Sequence, residues 1–220
     1  MAKRVSPLAE SLERGAAPGQ PGTEGWPQRY QIRGRLRRTS GRPVLLGFDR
    51  TDERLVVIKG DAGTGGAQHE AEILARLRHP NIVALRDRIE RAGATYLVLD
   101  YMDASSLEDH IAEHGGRLEP AALTRLLLEL CDALSHVHAQ GLLHRDLKPA
   151  NVLVRADGTP VLVDFSAALP MDRGAGPPEF SSLTDGYAAP EQYVEDQAEG
   201  PWTDVYGLGA LAYRAFTGEV

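Results

Sequence analysis

The segment HRDLKPAN, residues 144–151, decides how this chain is read. It follows a long Ala- and Leu-rich stretch (121–140) with helical periodicity. It precedes two short apolar runs, NVLVR and PVLVDF, that flank the turn ADGT. The segment is therefore a loop held between rigid elements. Asp146 can accept a proton from an attacking hydroxyl, and Lys148, two residues on, can neutralise charge on a transferring phosphate. Asn151 offers an amide oxygen to a magnesium ion, and Asp164, thirteen residues later, is a second hard oxygen ligand. A base, a cation and two oxygen ligands are the parts phosphoryl transfer requires, because that reaction relies on positioning and charge stabilisation.

The surrounding chain supplies a scaffold. At 220 residues with 42% hydrophobic content there is room for one domain or two small lobes with a real core. Formal charge is -7 with no basic block, so nucleic acid is not the expected partner. Residues 1–28 are rich in Gly, Pro, Ala and Glu and read as a flexible leader. YQIRGRL, PVLLGF and RLVVIK read as strands between Tyr30 and Lys59, and ATYLVLDYM (94–102) as another. AQHEAEILARLRH has helical spacing up to Pro80, and SSLEDHIAEHG is a short helix capped by Ser105 or Ser106. TDVYGLGALAYRAF is apolar nearly all round, which predicts a buried helix. No apolar run reaches the ~18 residues of a membrane helix, and the N-terminus lacks the apolar core of a secretion signal. The single cysteine, Cys131, excludes an internal disulfide, suits a reducing cytoplasm and reads as a buried helix position. Only three of 24 basic residues are lysines, Lys3, Lys59 and Lys148, which invites a chemical reason for the last two. His110 and His114 lie at a spacing that can chelate zinc, but with no third ligand they read as an exposed polar face.

From about residue 30 to 218 the sequence resembles the eukaryotic-like, bacterial-type serine/threonine protein kinases. VVIK ends at Lys59, QHEAEILARLRHPNIV follows, and then HRDLKPAN, DFS, GYAAPEQY and WTDVYGLG occur in order. The resemblance implies an α+β bilobal fold: a β-rich N-lobe and hinge over 29–102 and a mainly helical, incomplete C-lobe over 103–220. It implies ATP and Mg2+, with Lys59 holding phosphates and Glu70 as its helix-C partner. Glu72 is the rival for that role and fits the spacing less well. Asn151 and Asp164 would hold the metal. Val44, Val57 and Leu153 would sandwich the adenine, backbone groups of Asp100 and Met102 would bond its edge, and Leu99 would guard the pocket. Leu74, His144 and Phe165 would stack through the core while Asp204 holds the loop backbone. Thr184 would bond Asp146 and Lys148. Arg145 could pair with a phosphate in the activation segment, for which Ser181 and Ser182 are the nearest candidates.

Three features depart from the family pattern. Arg37, Thr39 and Arg42 stand at the glycines of the phosphate loop, with Gly41 displaced by one. DFG reads Asp164-Phe165-Ser166, and Val57 replaces the usual alanine beside adenine. The main expectation is an ATP-dependent kinase acting on Ser or Thr of a protein substrate. The degraded glycine loop supports the alternative of a pseudokinase-type scaffold with weak nucleotide binding. A small-molecule kinase is disfavoured by Thr184 and the AAPE segment at 188–191, which resemble a protein-substrate platform. Tyr206, Leu208, Leu211, Tyr213 and Phe216 point several ways around one helix, so one neighbour cannot cover them all; the resemblance implies further helices packed there, and a dimer or partner chain could cover the face instead.

Overall fold

The computed structural model describes residues 26–36, 44–60, 65–91, 93–172, 183–194 and 197–219. The expected leader lies outside these residues except for its last three positions. So do Arg37, Thr39, Gly41, Arg42, Ser181 and Ser182. The chain divides into two compact units. The first holds residues up to Ala71 together with Leu85–Asp103; the second holds Glu72–Ala84 and Ala104 onward.

The first unit is an antiparallel sheet of β1 (Tyr30–Arg35), β2 (Val44–Asp49), β3 (Arg54–Gly60), β4 (Leu85–Arg91) and β5 (Ala94–Asp100), ordered β1-β2-β3-β5-β4. Alternation along β3 buries Val56 and Ile58 on one face and turns Val57 and Lys59 to the other. The first face packs with Tyr30, Ile89 and Val98, and with Trp26, Ile32, Leu45 and Tyr96 at its margin. Gly47 lies opposite Val56, and a Cβ there would approach Ile58 Cδ1 to 2.9 Å, so the bulk on β3 requires glycine on β2. The second face carries Val44 opposite Lys59 and Leu46 opposite Val57, continued on β5 by Leu97 and Leu99. β4 escapes sequence reading because LRDRIER is mostly charged; as an edge strand it keeps those charges in water.

Helix α1 (Gly66–Ala75) begins in the first unit and ends in the second. It stops short of the expected His79, because Arg76 and Leu77 tighten into i−3 bonds to Ile73 and Leu74. Residues 81–83 then join the second unit: Leu162 donates its N–H to Asn81 at 2.8 Å and Val83 donates to Leu162 at 3.0 Å.

The second unit contains β6 (Ala104–Ser106), α2 (Leu107–Glu113), α3 (Pro120–Ala139), β7 (Leu142–Leu143), β8 (Val152–Arg155), β9 (Pro160–Leu162), β10 (Leu169–Pro170) and α4 (Pro201–Thr217). Ser106 caps α2, accepting the Asp109 N–H at 3.1 Å. Helix α3 buries Leu123, Leu126, Leu130, Ala133, Leu134 and Val137 along one stripe and packs on α4. Two expectations need correction. Cys131 is exposed, because it falls about 100° around the helix from Leu130, off that stripe. Helix α4 is buried on one face only, through Thr203, Asp204, Gly207, Leu208, Leu211 and Ala215. Trp202, Val205, Tyr206, Tyr213 and Phe216 remain about half exposed on the other. Among the described residues no helix is long and apolar enough to cross a membrane.

Candidate active site

The loop after β7 is held from beneath by α4. Asp204, 1% exposed, accepts the backbone N–H of His144 at 2.9 Å and of Arg145 at 2.7 Å. The third contact to its carboxylate comes from His138 Nε2 on α3, at 2.8 Å. Only the fold brings His138 to a residue 66 positions away. His144 is fully buried, its ring edge-on to Phe165 at 4.7 Å between centroids. Its Nδ1 accepts the Asp146 N–H, which places the ring proton on Nε2. Burial pushes the His144 pKa below its usual 6.5, outweighing the opposite pull of Asp204, Asp146 and Asp164.

Asp146 is the centre of a compact polar cluster. Its Oδ1 accepts Lys148 Nζ at 3.0 Å and Thr184 Oγ1 at 2.7 Å. Its Oδ2 accepts Asn151 Nδ2 at 2.8 Å, and the same amide nitrogen reaches the Asp146 carbonyl at 2.9 Å. Lys148 Nζ also donates to Thr184 Oγ1 at 2.9 Å, closing a triangle. With its amide nitrogen so engaged, Asn151 has its side-chain oxygen to offer a cation. The 3-10 turn Pro149–Asn151 fixes that residue, and its backbone carbonyl accepts the Val163 N–H at 2.9 Å, one residue before Asp164.

Asp164 sits at φ 64 and Arg145 at φ 69, left-handed conformations that a non-glycine residue holds only when its surroundings enforce them. At Asp164 the enforcement includes Ser166, whose hydroxyl donates to Oδ1 at 2.7 Å and whose N–H approaches it at 3.4 Å. The serine in place of the family glycine thus tethers one oxygen of the expected metal ligand.

In the first unit Lys59 Nζ lies 2.9 Å from Glu70 Oε1 and 2.8 Å from Oε2, with the glutamate side chain fully buried. Glu72, the rival, is exposed. Val44 and Val57 are half-buried on the Lys59 face, and Leu99 is buried beside them. The Asp100 side chain is taken by Arg86 at 2.6 Å, leaving only its backbone for the expected role. Met102 and Leu153 are half-buried. Leu74 is buried in the second unit with His144 and Phe165.

The sequence pattern of the protein kinase domain matches residues 44–220. The chain belongs to the protein kinase family. This kinase domain is similar to the serine/threonine-protein kinase PkaA of Streptomyces coelicolor, 40% identical over 156 residues, which cover 68% of this chain and 28% of that protein. It is 32% identical over 158 residues to the serine/threonine-protein kinase PknB of Mycobacterium leprae, covering 69% and 25%. A sperm motility kinase 2B of Mus musculus is 32% identical over 165 residues, covering 75% and 34%. The matched region spans about a third or less of each of these relatives.

Proposed function

We propose that the chain is a serine/threonine protein kinase that transfers the ATP γ-phosphate to a protein hydroxyl. The observation that carries this reading is the Asp146–Lys148–Thr184–Asn151 cluster. A carboxylate, an ammonium and two side chains that fix them are the apparatus for deprotonating a hydroxyl beside a phosphate. Asp146 accepts the proton of the attacking hydroxyl. Lys148 places positive charge where the transferred phosphoryl group gains negative charge. Thr184 holds both in register, as a residue at the mouth of a protein-substrate site would.

Asn151 and Asp164 suit Mg2+, which takes hard oxygen donors and is commonly held by one or two carboxylates plus phosphates. The tether from Ser166 to Asp164 Oδ1 restricts the carboxylate without adding a soft ligand. Bound there, Mg2+ would neutralise phosphate oxygens. Lys59, braced by Glu70, is the cation for the α and β phosphates, and Val44 and Val57 on the same sheet face are the apolar surface for the base.

The test is a magnesium–ATP assay with a generic protein acceptor, followed by phosphoamino-acid analysis, with Asp164→Asn as control. Phosphoserine or phosphothreonine that vanishes in the control is expected. A dominant phosphotyrosine signal refutes the acceptor class, and nucleotide binding without transfer supports the scaffold alternative.

A further inference from the structure

Arg145 directly precedes the proposed base, and its side chain is only 2% exposed. A buried guanidinium requires an anion, and its planar fork fits a carboxylate or a phosphate equally well. The structure fills that need from within the chain. Nε and Nη2 donate to the two carboxylate oxygens of Glu199, the Nη2 bond being 2.8 Å. Nη1 donates to the carbonyl of Ala167 at 3.3 Å, three residues past Asp164. The Arg145 backbone is held as firmly: its N–H by Asp204, and its carbonyl by Gln192 Nε2 at 3.0 Å. These contacts explain how a non-glycine residue keeps φ 69 beside Asp146.

We propose that Glu199 is a built-in counter-anion that positions the catalytic loop in place of an activating phosphate, so that competence does not require phosphorylation before Thr184. A phosphate arriving at Arg145 would have to displace a carboxylate already bonded through both oxygens. If it did not, the two anions would repel each other. Glu199 is a positioning residue: it acts on Asp146 through Arg145, and on the segment after Asp164 through Arg145 and Ala167. Removing it should therefore lower kcat more than the KM for ATP. The inference rests on the kinase reading, and one arm of its test does not.

The wild-type chain is treated with phosphatase, verified as unphosphorylated by mass, and assayed beside Glu199→Ala, Glu199→Gln and Glu199→Ala/Arg145→Ala. Glu199→Gln keeps the shape without the charge and serves if the alanine variant does not fold. The dephosphorylated wild type should keep its activity. Glu199→Ala should lose kcat on the order of 10²-fold, the cost of misplacing a reacting group by about 1 Å. Inorganic phosphate should restore part of that kcat and raise the melting temperature of Glu199→Ala and Glu199→Gln, but not of the wild type or the double variant. Loss of wild-type activity on phosphatase treatment overturns the proposal, as does wild-type kcat in both Glu199 variants. A wild type inert under all conditions sinks the kinase reading instead. The anion assignment is then decided by melting alone, and fails if phosphate gives no Arg145-dependent shift in Glu199→Gln.

Discussion

Asp146 shares its carboxylate among Lys148, Asn151 and Thr184, so a change there alters charge without opening a cavity. Asp146→Asn is expected to cut phosphoryl transfer by roughly 10²–10⁴-fold, the usual weight of a positioned base, with circular dichroism unchanged. Lys59→Met should also abolish transfer. It leaves the fully buried Glu70 carboxylate without its cation, and breaking a buried pair costs about 3–5 kcal/mol, so its denaturation midpoint should fall as well. A variant retaining transfer would dismiss the corresponding role. His144 gives a pH signature. Its folded pKa is depressed by burial, so the unfolded chain binds a proton that the folded chain refuses. The stability it contributes is present above pH 6.5 and is lost as pH falls from there toward the folded pKa. Urea melts between pH 7.5 and 5 should show a steeper decline for wild type than for His144→Gln; equal slopes would remove His144 from the account.

Two elements depend on a single position. Strand β2 admits Ile58 and Val56 of β3 against it only because Gly47 has no side chain. Gly47→Val is expected to cost about 1–3 kcal/mol by overpacking, read as a lower urea midpoint at constant m-value. Helix α4 acts at a distance through Asp204, whose two oxygens hold two successive amides of the loop. Asp204→Ala should cost about 1–3 kcal/mol for each buried amide left unpaired. Hydrogen exchange should accelerate at His144 and Arg145 while amides in β2 and β3 keep their rates. Uniform acceleration would mean that Asp204 supports the fold at large rather than this loop.

Over the whole molecule, the feature that stands out is the apolar surface of α4. Trp202, Val205, Tyr206, Tyr213 and Phe216 are each about half exposed, beyond the scatter of single apolar residues normal on a surface. The chain is expected to bind an apolar dye and to self-associate with rising concentration. Tyr206→Ser/Tyr213→Ser/Phe216→Ser should suppress both while the helical signal in circular dichroism is kept, because the buried face of α4 is untouched. A monomeric wild type that binds no dye would contradict the expectation.

Much of this protein was legible as a string of residues because the groups of the proposed chemistry are local in sequence. Asp146, Lys148 and Asn151 fall within six positions, and a loop bounded by a helix and a hairpin sets their spacing whatever surrounds it. Strands such as RLVVIK declare themselves as short β-branched apolar runs between turn signals, and the family resemblance led to Lys59, Glu70 and Asp204. Charged β4 did not declare itself, since an edge strand needs no apolar period. The exposure of Cys131 and of half of α4 was also hidden, because a helix that is apolar all round does not state which side will be covered. The partners of the loop were beyond reach for a different reason. His138 meets Asp204 across 66 positions and Glu199 meets Arg145 across 54, whereas Thr184, 38 positions from Asp146, was reached only through the family resemblance. Sequence alone determined which side chains carry the groups that the proposed chemistry needs, because reactivity belongs to the side chain. Only the tertiary structure decided which anion neutralises Arg145, because a buried charge takes the partner that folding brings to it.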